Sequence, residues 1–270
     1  MHRTLAGFMA GMAIMMAMAG CETTTGGGAV GADRKQLLLV SSEQMNADSV
    51  QAYRETTQAA STKGLLNRDQ RYVGRVRAIA NRLIPATGVF RADAPKWAWE
   101  VNVITSDEVN AWCMAGGKIA VYTGLIEKLN ITDDELAAVM GHEIAHALRE
   151  HGREKASQQQ AQNVGVNVLS GLLGLGQLGA MATNMAVQVV VGLPYSRGME
   201  SEADRMGVEL AARAGYDPRA SITLWQKMAQ VSGGSGPGFL STHPTAADRI
   251  SELQKYSQQV MPLYQAAQRH

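Results

Sequence analysis

The stretch "GHEIAHALREH", Gly141 to His151, places two histidines four residues apart with a glutamate directly after the first. On an α-helix, residues i and i+4 share a face, so His142 and His146 can turn ring nitrogens toward one ion about 2.0 Å from each. Glu143 projects about 100° further round. It is poorly placed as a third ligand and well placed to take a proton from a water beside the ion. The helical context is written just upstream. Thr132-Asp133-Asp134-Glu135 reads as a capping box, which predicts a helix from Thr132 to about Lys155. With six histidines in 270 residues, a chance His-Glu-x-x-His match is expected roughly once in a hundred such chains. The plainer alternative is a polar helix face. Val139, Ile144, Ala145 and Ala147 make the segment a buried one, where two unpaired histidines would be costly.

A catalytic zinc usually has three protein ligands and a water. His151 lies nine residues from His142, about 180° around a continuous helix, and is expected to point away. A second helix, Met199 to Gly215, is acidic along one side. Glu200 and Asp204 are i, i+4 neighbours there, with Glu202 turned away from them. One of the pair can ligate while the other accepts a ligand histidine's ring N–H; spacing alone leaves both assignments open.

Around this centre, the composition is that of an ordinary globular chain, 46% hydrophobic and 18% charged. A formal charge of +1, without any block of like charges, gives no field for nucleic acid. Residues 1–20, "MHRTLAGFMAGMAIMMAMAG", have a basic start, an apolar run and a small-residue end, the form of a secretory signal peptide. Cys21 follows directly, in the manner of a bacterial lipobox, so it is expected to carry lipid and hold the protein at the outer membrane, facing the periplasm. "ETTTGGGAVGA", residues 22–32, has the composition of a flexible tether. The domain is then residues 33–270. Its helical pattern runs from Asp33 to Ile84 and stops at Pro85. Trp97–Thr105 reads as a strand, and Val109–Ile126 as a hairpin turning at Gly116-Gly117. The apolar stretch 163–193 carries polar interruptions, which favour two helices over a membrane hairpin. "SGGSGPG", residues 232–238, reads as a loop. Thr245 and Asp248 then carry the spacing of a second capping box.

Four ordered segments, "NAWCMAGGKIAVYTGL", "DELAAVMGHEIAHALREHG", "SRGMESEADRMG" and "STHPTAADRI", together resemble the zinc endopeptidases of the HtpX, BepA and LoiP family over roughly Val109 to Ile250. The resemblance implies an α+β fold: a mainly helical, zincin-like domain with a small sheet whose edge strand flanks the active-site helix. It implies one zinc per chain on His142, His146 and Glu200, with Asp204 as the supporting carboxylate and Glu143 as general base. It also implies that substrate is laid by β-addition against the strand holding Lys118, Ile119, Ala120 and Val121. Unfolded or misassembled envelope proteins are the implied substrates. No G-x-x-x-x-G-K-[ST] run is present, so ATP is not expected to drive unfolding. His243, before Pro244, has three readings: a loop histidine bonded to backbone, an oxyanion donor, or a plug in the water position on zinc. The resemblance favours the plug. A zinc-stabilised envelope lipoprotein acting as chaperone or scaffold is the alternative function; it would have no use for Glu143.

Overall fold

The computed structural model describes residues 21–172, 194–231, 238–244 and 248–269. The signal-peptide reading of residues 1–20, most of the 163–193 stretch, residues 232–237 of the glycine-rich loop and Thr245 lie outside them. The order of elements is β1 (Cys21–Glu22), β2 (Gln36–Leu37), α1 (Ser42–Thr62), α2 (Gln70–Ala86), β3 (Glu100–Ile104), β4 (Ala111–Met114), β5 (Lys118–Tyr122), α3 (Thr123–Lys128), α4 (Asp133–Leu148), α5 (His151–Leu172), α6 (Arg197–Arg213), α7 (Ala220–Val231) and α8 (Arg249–Ala267). This is the α+β arrangement expected. Among the described residues, no helix is long and apolar enough to cross a membrane.

α4 is the central element. Its capping box forms as expected: the Glu135 N–H donates to Thr132 Oγ1 at 3.2 Å, and the Thr132 N–H donates to Glu135 Oε2 at 2.9 Å. From Glu135 to Leu148 every residue of α4 is buried. It packs on β4 on one side and on α6 on another, with α2 and α7 also against it. The crossing of α4 and α6 is set by two glycines. A Cβ on Gly207 would fall 2.7 Å from the His142 nitrogen, and one on Gly141 would fall 2.8 Å from the Gly207 oxygen.

Several local expectations are corrected. Residues 33–41 are not helical, and the helical pattern to Ile84 resolves into two helices, Ser42–Thr62 and Gln70–Ala86. Pro85 lies inside the last turn of α2; the chain leaves the helix just beyond it by tightening into a 3-10 turn, Thr87–Val89. The hairpin does turn at Gly116-Gly117, both with positive φ, but its second strand stops at Tyr122. Gly124 then fits against the backbone of Asp107 and Glu108, where a Cβ would come within 2.5 Å. Leu125 and Ile126 are therefore buried from a helical turn, an ambiguity that short apolar runs carry. α4 ends at Leu148, because Glu150 adopts a left-handed φ of 49° and redirects the chain into α5. Asp248 is itself the N-cap residue of α8 and makes no side-chain cap bond.

Residues 22–32 are not a free tether. The Gly26 N–H donates to the Phe90 carbonyl at 2.8 Å, the Ala29 N–H donates to Glu209 Oε2 at 2.8 Å, and Val30 and Ala32 are buried in the main core. Small residues here permit close packing as well as freedom, and the apolar pair decides for packing.

Gly207→Ala is expected to force α4 and α6 apart. Overpacking of this kind costs about 1–3 kcal/mol, a fall in Tm of roughly 3–10 °C for a chain of this length. A thermal melt unchanged from wild type would contradict the close crossing.

Candidate metal centre

On α4, His142 and His146 bring their Nε2 atoms to 3.1 Å of each other. Glu200, in the first turn of α6, lies between them, with Oε2 3.6 Å from His142 Nε2 and Oε1 3.4 Å from His146 Nε2. Donors held tetrahedrally about 2.0–2.1 Å from zinc stand about 3.4 Å apart, so this triangle has the size of a zinc site. His243 completes a buried group of four whose donor atoms all lie within 4.8 Å of one another. Among the described residues, Glu143 Oε1, Glu200 Oε1 and His243 Nε2 are buried without a hydrogen-bond partner. Orphaned polar atoms that face one another are what a cation would satisfy. The residues therefore fit the metal that the sequence implies.

Supporting bonds orient each of these groups. His142 Nδ1 is 3.0 Å from Asp204 Oδ1, so it donates there and leaves Nε2 for a metal. Arg249 ties the acidic pair together, Nη1 donating to Glu200 Oε2 at 2.9 Å and Nη2 to Asp204 Oδ1 at 2.7 Å, with its guanidinium over the Trp225 ring. His243 stacks on Phe239 with centroids 4.1 Å apart, and its Nδ1 lies 3.1 Å from the Phe239 carbonyl; donation there turns Nε2 inward. That Nε2 stands 3.4 Å from Glu143 Oε1.

The electrostatics suit ligation. Burial lowers the pKa of His142, against the hydrogen bond to Asp204, and lowers that of His146 further with help from the neighbouring histidines. Neutral imidazole is the form that binds metal. Burial raises Glu200 to about 8 against the pull of Arg249, and raises Glu143 well above the carboxylate range with the charge of Glu200 adding to it. A cation at the triangle would counter both.

The structure thus brings together His142, Glu143, His146, Glu200, Asp204 and His243. It does not bring Lys118, Ile119, Ala120 and Val121 to an edge. β5 is the central strand, parallel to β3 on one side and antiparallel to β4 on the other, so its backbone groups are used on both sides. Lys118 is also committed, its Nζ bonding the Ala98 carbonyl and Glu100. The edge that flanks α4 is β4. Tyr122 and Gly117 N–H groups donate to the Asn110 and Met114 carbonyls, so by alternation Ala111 and Cys113 face outward. The Cys113 backbone N–H is turned toward the Glu143 carboxylate and favours its charged form.

The sequence reading misplaces His151 and passes over Arg249 and Tyr195, whereas Glu202 does turn away from Glu200 and Asp204, toward Arg34, Arg149 and His151. His151 comes back to the site because the chain breaks at Glu150, and its ring meets His146 and Glu202. Tyr195 stacks on the His146 ring with centroids 4.0 Å apart. Arg249 lies inside the "STHPTAADRI" segment, but which carboxylates it meets, 49 and 45 residues away, shows only in the fold.

A His-Glu-x-x-His helix joined by a glutamate from a second helix defines a class, the zincin-type metallopeptidase site. The chain belongs to peptidase family M48, whose model matches residues 71–257. It is 32% identical over 245 residues to the mitochondrial metalloendopeptidase OMA1 of Bos taurus, covering 85% of this chain and 46% of that protein. It is 28% identical over 253 residues to the metalloprotease LoiP of Escherichia coli, covering 90% of this chain and 92% of that one. It is also 28% identical over 197 residues to the β-barrel assembly-enhancing protease of Yersinia pestis, covering 69% and 39%. The chain spans about half the length of the OMA1 relative or less, and nearly all of the E. coli one.

Proposed function

We propose that the chain is a zinc-dependent endopeptidase of the bacterial envelope that cuts unfolded or misassembled envelope proteins without ATP. The observation that carries this reading is the convergence of His142 Nε2, His146 Nε2 and Glu200 at zinc-site spacing, beside a buried carboxylate with an unpartnered oxygen. His142, His146 and Glu200 would hold the ion, which supplies Lewis acidity toward a water and a peptide carbonyl. Glu143 takes the water's proton at Oε1 and passes it to the leaving amine. Asp204 keeps His142 in the tautomer that ligates. The outward carbonyls of Ala111 and Cys113 on β4 receive an extended substrate as an added strand, which selects chains that are already unfolded; the Ala111 N–H is held by Asn110 Oδ1. Glu143→Gln should keep its zinc and lose peptidase activity toward an unfolded protein by at least about 10², whereas His146→Ala should lose both. Digestion by Glu143→Gln at the wild-type rate would sink the mechanism.

His243 acts as a resting plug. Its Nε2 belongs to the same donor group as the three ligands and stands against Glu143, where the reacting water belongs. His243→Ala should then raise basal proteolysis. A role as oxyanion donor gives the opposite sign, a fall on the order of 10², so one assay of the variant decides between them.

Cys21 carries lipid and holds the protein at the outer membrane, facing the periplasm; the motive is the signal-like run that ends at Gly20-Cys21. Cys21→Ala should move the protein from the membrane to the soluble fraction. Unchanged fractionation would remove the anchor from the account.

A further inference from the structure

The two ligand histidines on α4 are supported differently. His142 reaches a carboxylate directly, through Asp204. His146 does not. Its Nδ1 meets His151 Nδ1 at 2.9 Å, and His151 Nε2 meets Glu202 Oε2 at 3.1 Å. Proton positions follow from the chemistry of ligation. If His146 binds through Nε2, its Nδ1 carries hydrogen and donates to His151 Nδ1; His151 then carries its hydrogen on Nε2 and donates to Glu202. The chain of donors is continuous and ends on a carboxylate, which is the arrangement that fixes tautomer and ring angle in a metal-bound histidine.

What holds Glu202 comes largely from the N-terminal segment. Arg34 Nη2 donates to the same Oε2 at 2.8 Å, and Arg34 also grips Glu154 with both terminal nitrogens, at 2.8 and 2.9 Å. Arg149 is fully buried. It donates to Glu202 Oε1 at 3.0 Å, to the Arg34 carbonyl at 2.9 Å and to Thr25 Oγ1 at 2.9 Å, while its own carbonyl accepts from Gln36 Nε2 at 2.7 Å. A short antiparallel pairing of β1 with β2 closes the loop that carries these groups.

We propose that His151 and Glu202 are positioning residues forming a relay to His146, and that Arg34 of the docked N-terminal segment locks the relay, making that segment an integral part of the metal site. The proposal rests on the reading of His146 as a metal ligand. It places control of the site at the end of the chain nearest Cys21: a pull that frees Arg34 loosens His146.

The test uses the full chain and follows metal rather than turnover. Wild type, His151→Leu, Glu202→Gln, Arg34→Ala and Arg34→Lys are titrated with zinc against a chromophoric chelator, and visible spectra are recorded for the cobalt-loaded forms. His151→Leu and Glu202→Gln should bind zinc about 10–100-fold more weakly with an altered cobalt spectrum. Arg34→Ala should weaken zinc several-fold, and Arg34→Lys should recover most of the loss. Melting curves of the metal-free proteins separate these effects from loss of fold. The Arg34 side chain is 43% exposed, so its variants test the lock even if a buried variant does not fold. Wild-type zinc affinity and cobalt spectrum in Arg34→Ala overturn the lock, and the same result in His151→Leu and Glu202→Gln overturns the relay. His146→Ala is the control: loss of its zinc leaves the metal reading standing in either case, and retention overturns that reading and the relay with it.

Discussion

Two helix backbones meet at Gly141 and Gly207 with no room for a side chain on either, and the placement of the metal centre follows from that contact. Gly141 directly precedes His142. On the other helix Gly207 stands three residues after Asp204 and seven after Glu200, intervals that keep all three on one face. Bringing the glycines together therefore lays Glu200 and Asp204 against the face of α4 that carries His142 and His146. The ligand from the second helix arrives because two small residues let the backbones approach, with no specific pairing needed to steer it. The supporting bonds to Asp204 and Arg249 then refine a geometry that the crossing has already imposed.

Burying so many ionisable groups in one place is costly unless each is matched. The matching is systematic. Arg249 faces Glu200 and Asp204, Arg34 and Arg149 face Glu202, and Lys227 reaches Glu135 at the start of α4. Burial works against the Glu202 carboxylate, yet the bonds from His151 and Arg34 and the charge of Arg149 win, and it is held down to about 2. Atoms left unmatched on Glu143, Glu200 and His243 face the middle of the site. Most of the charge at the periphery is met by protein, although Arg149 Nε and Ser49 Oγ have no hydrogen-bond partner, while the orphaned carboxylate and imidazole atoms gather at the centre, where an ion and the reacting atoms would sit.

The parts of this arrangement that are local in sequence were legible there. His142, Glu143 and His146 are fixed by helical spacing, and the capping box announced the helix that holds them. Glu200 and Asp204 showed as an i, i+4 pair, but their separate roles required the resemblance. His151 was not legible. Nine residues beyond His142 on an unbroken helix it would point away, and a glutamate at position 150 gives no sign of the left-handed φ that breaks the helix. The edge strand failed for another reason. A hairpin shows that two strands pair, but which one lies inside depends on β3, which arrives from outside the hairpin and takes the free side of β5. Residues 22–32 were judged by their glycines, whereas Val30 and Ala32 carried the information.

The docking of the N-terminal segment also fixes an order of events in biosynthesis. Ala29 bonds to Glu209, 180 residues further along the chain, and Arg34 bonds to Glu202 across 168. Contacts this distant must wait until α6 has emerged and folded, and closing a loop of that length comes late in assembly. The first part of the domain to be synthesised is therefore among the last to find its place. Until it does, Glu202 lacks its bonds from Arg34. In a growing chain the ion-paired surroundings of Glu202 are therefore completed only after α6 is in place.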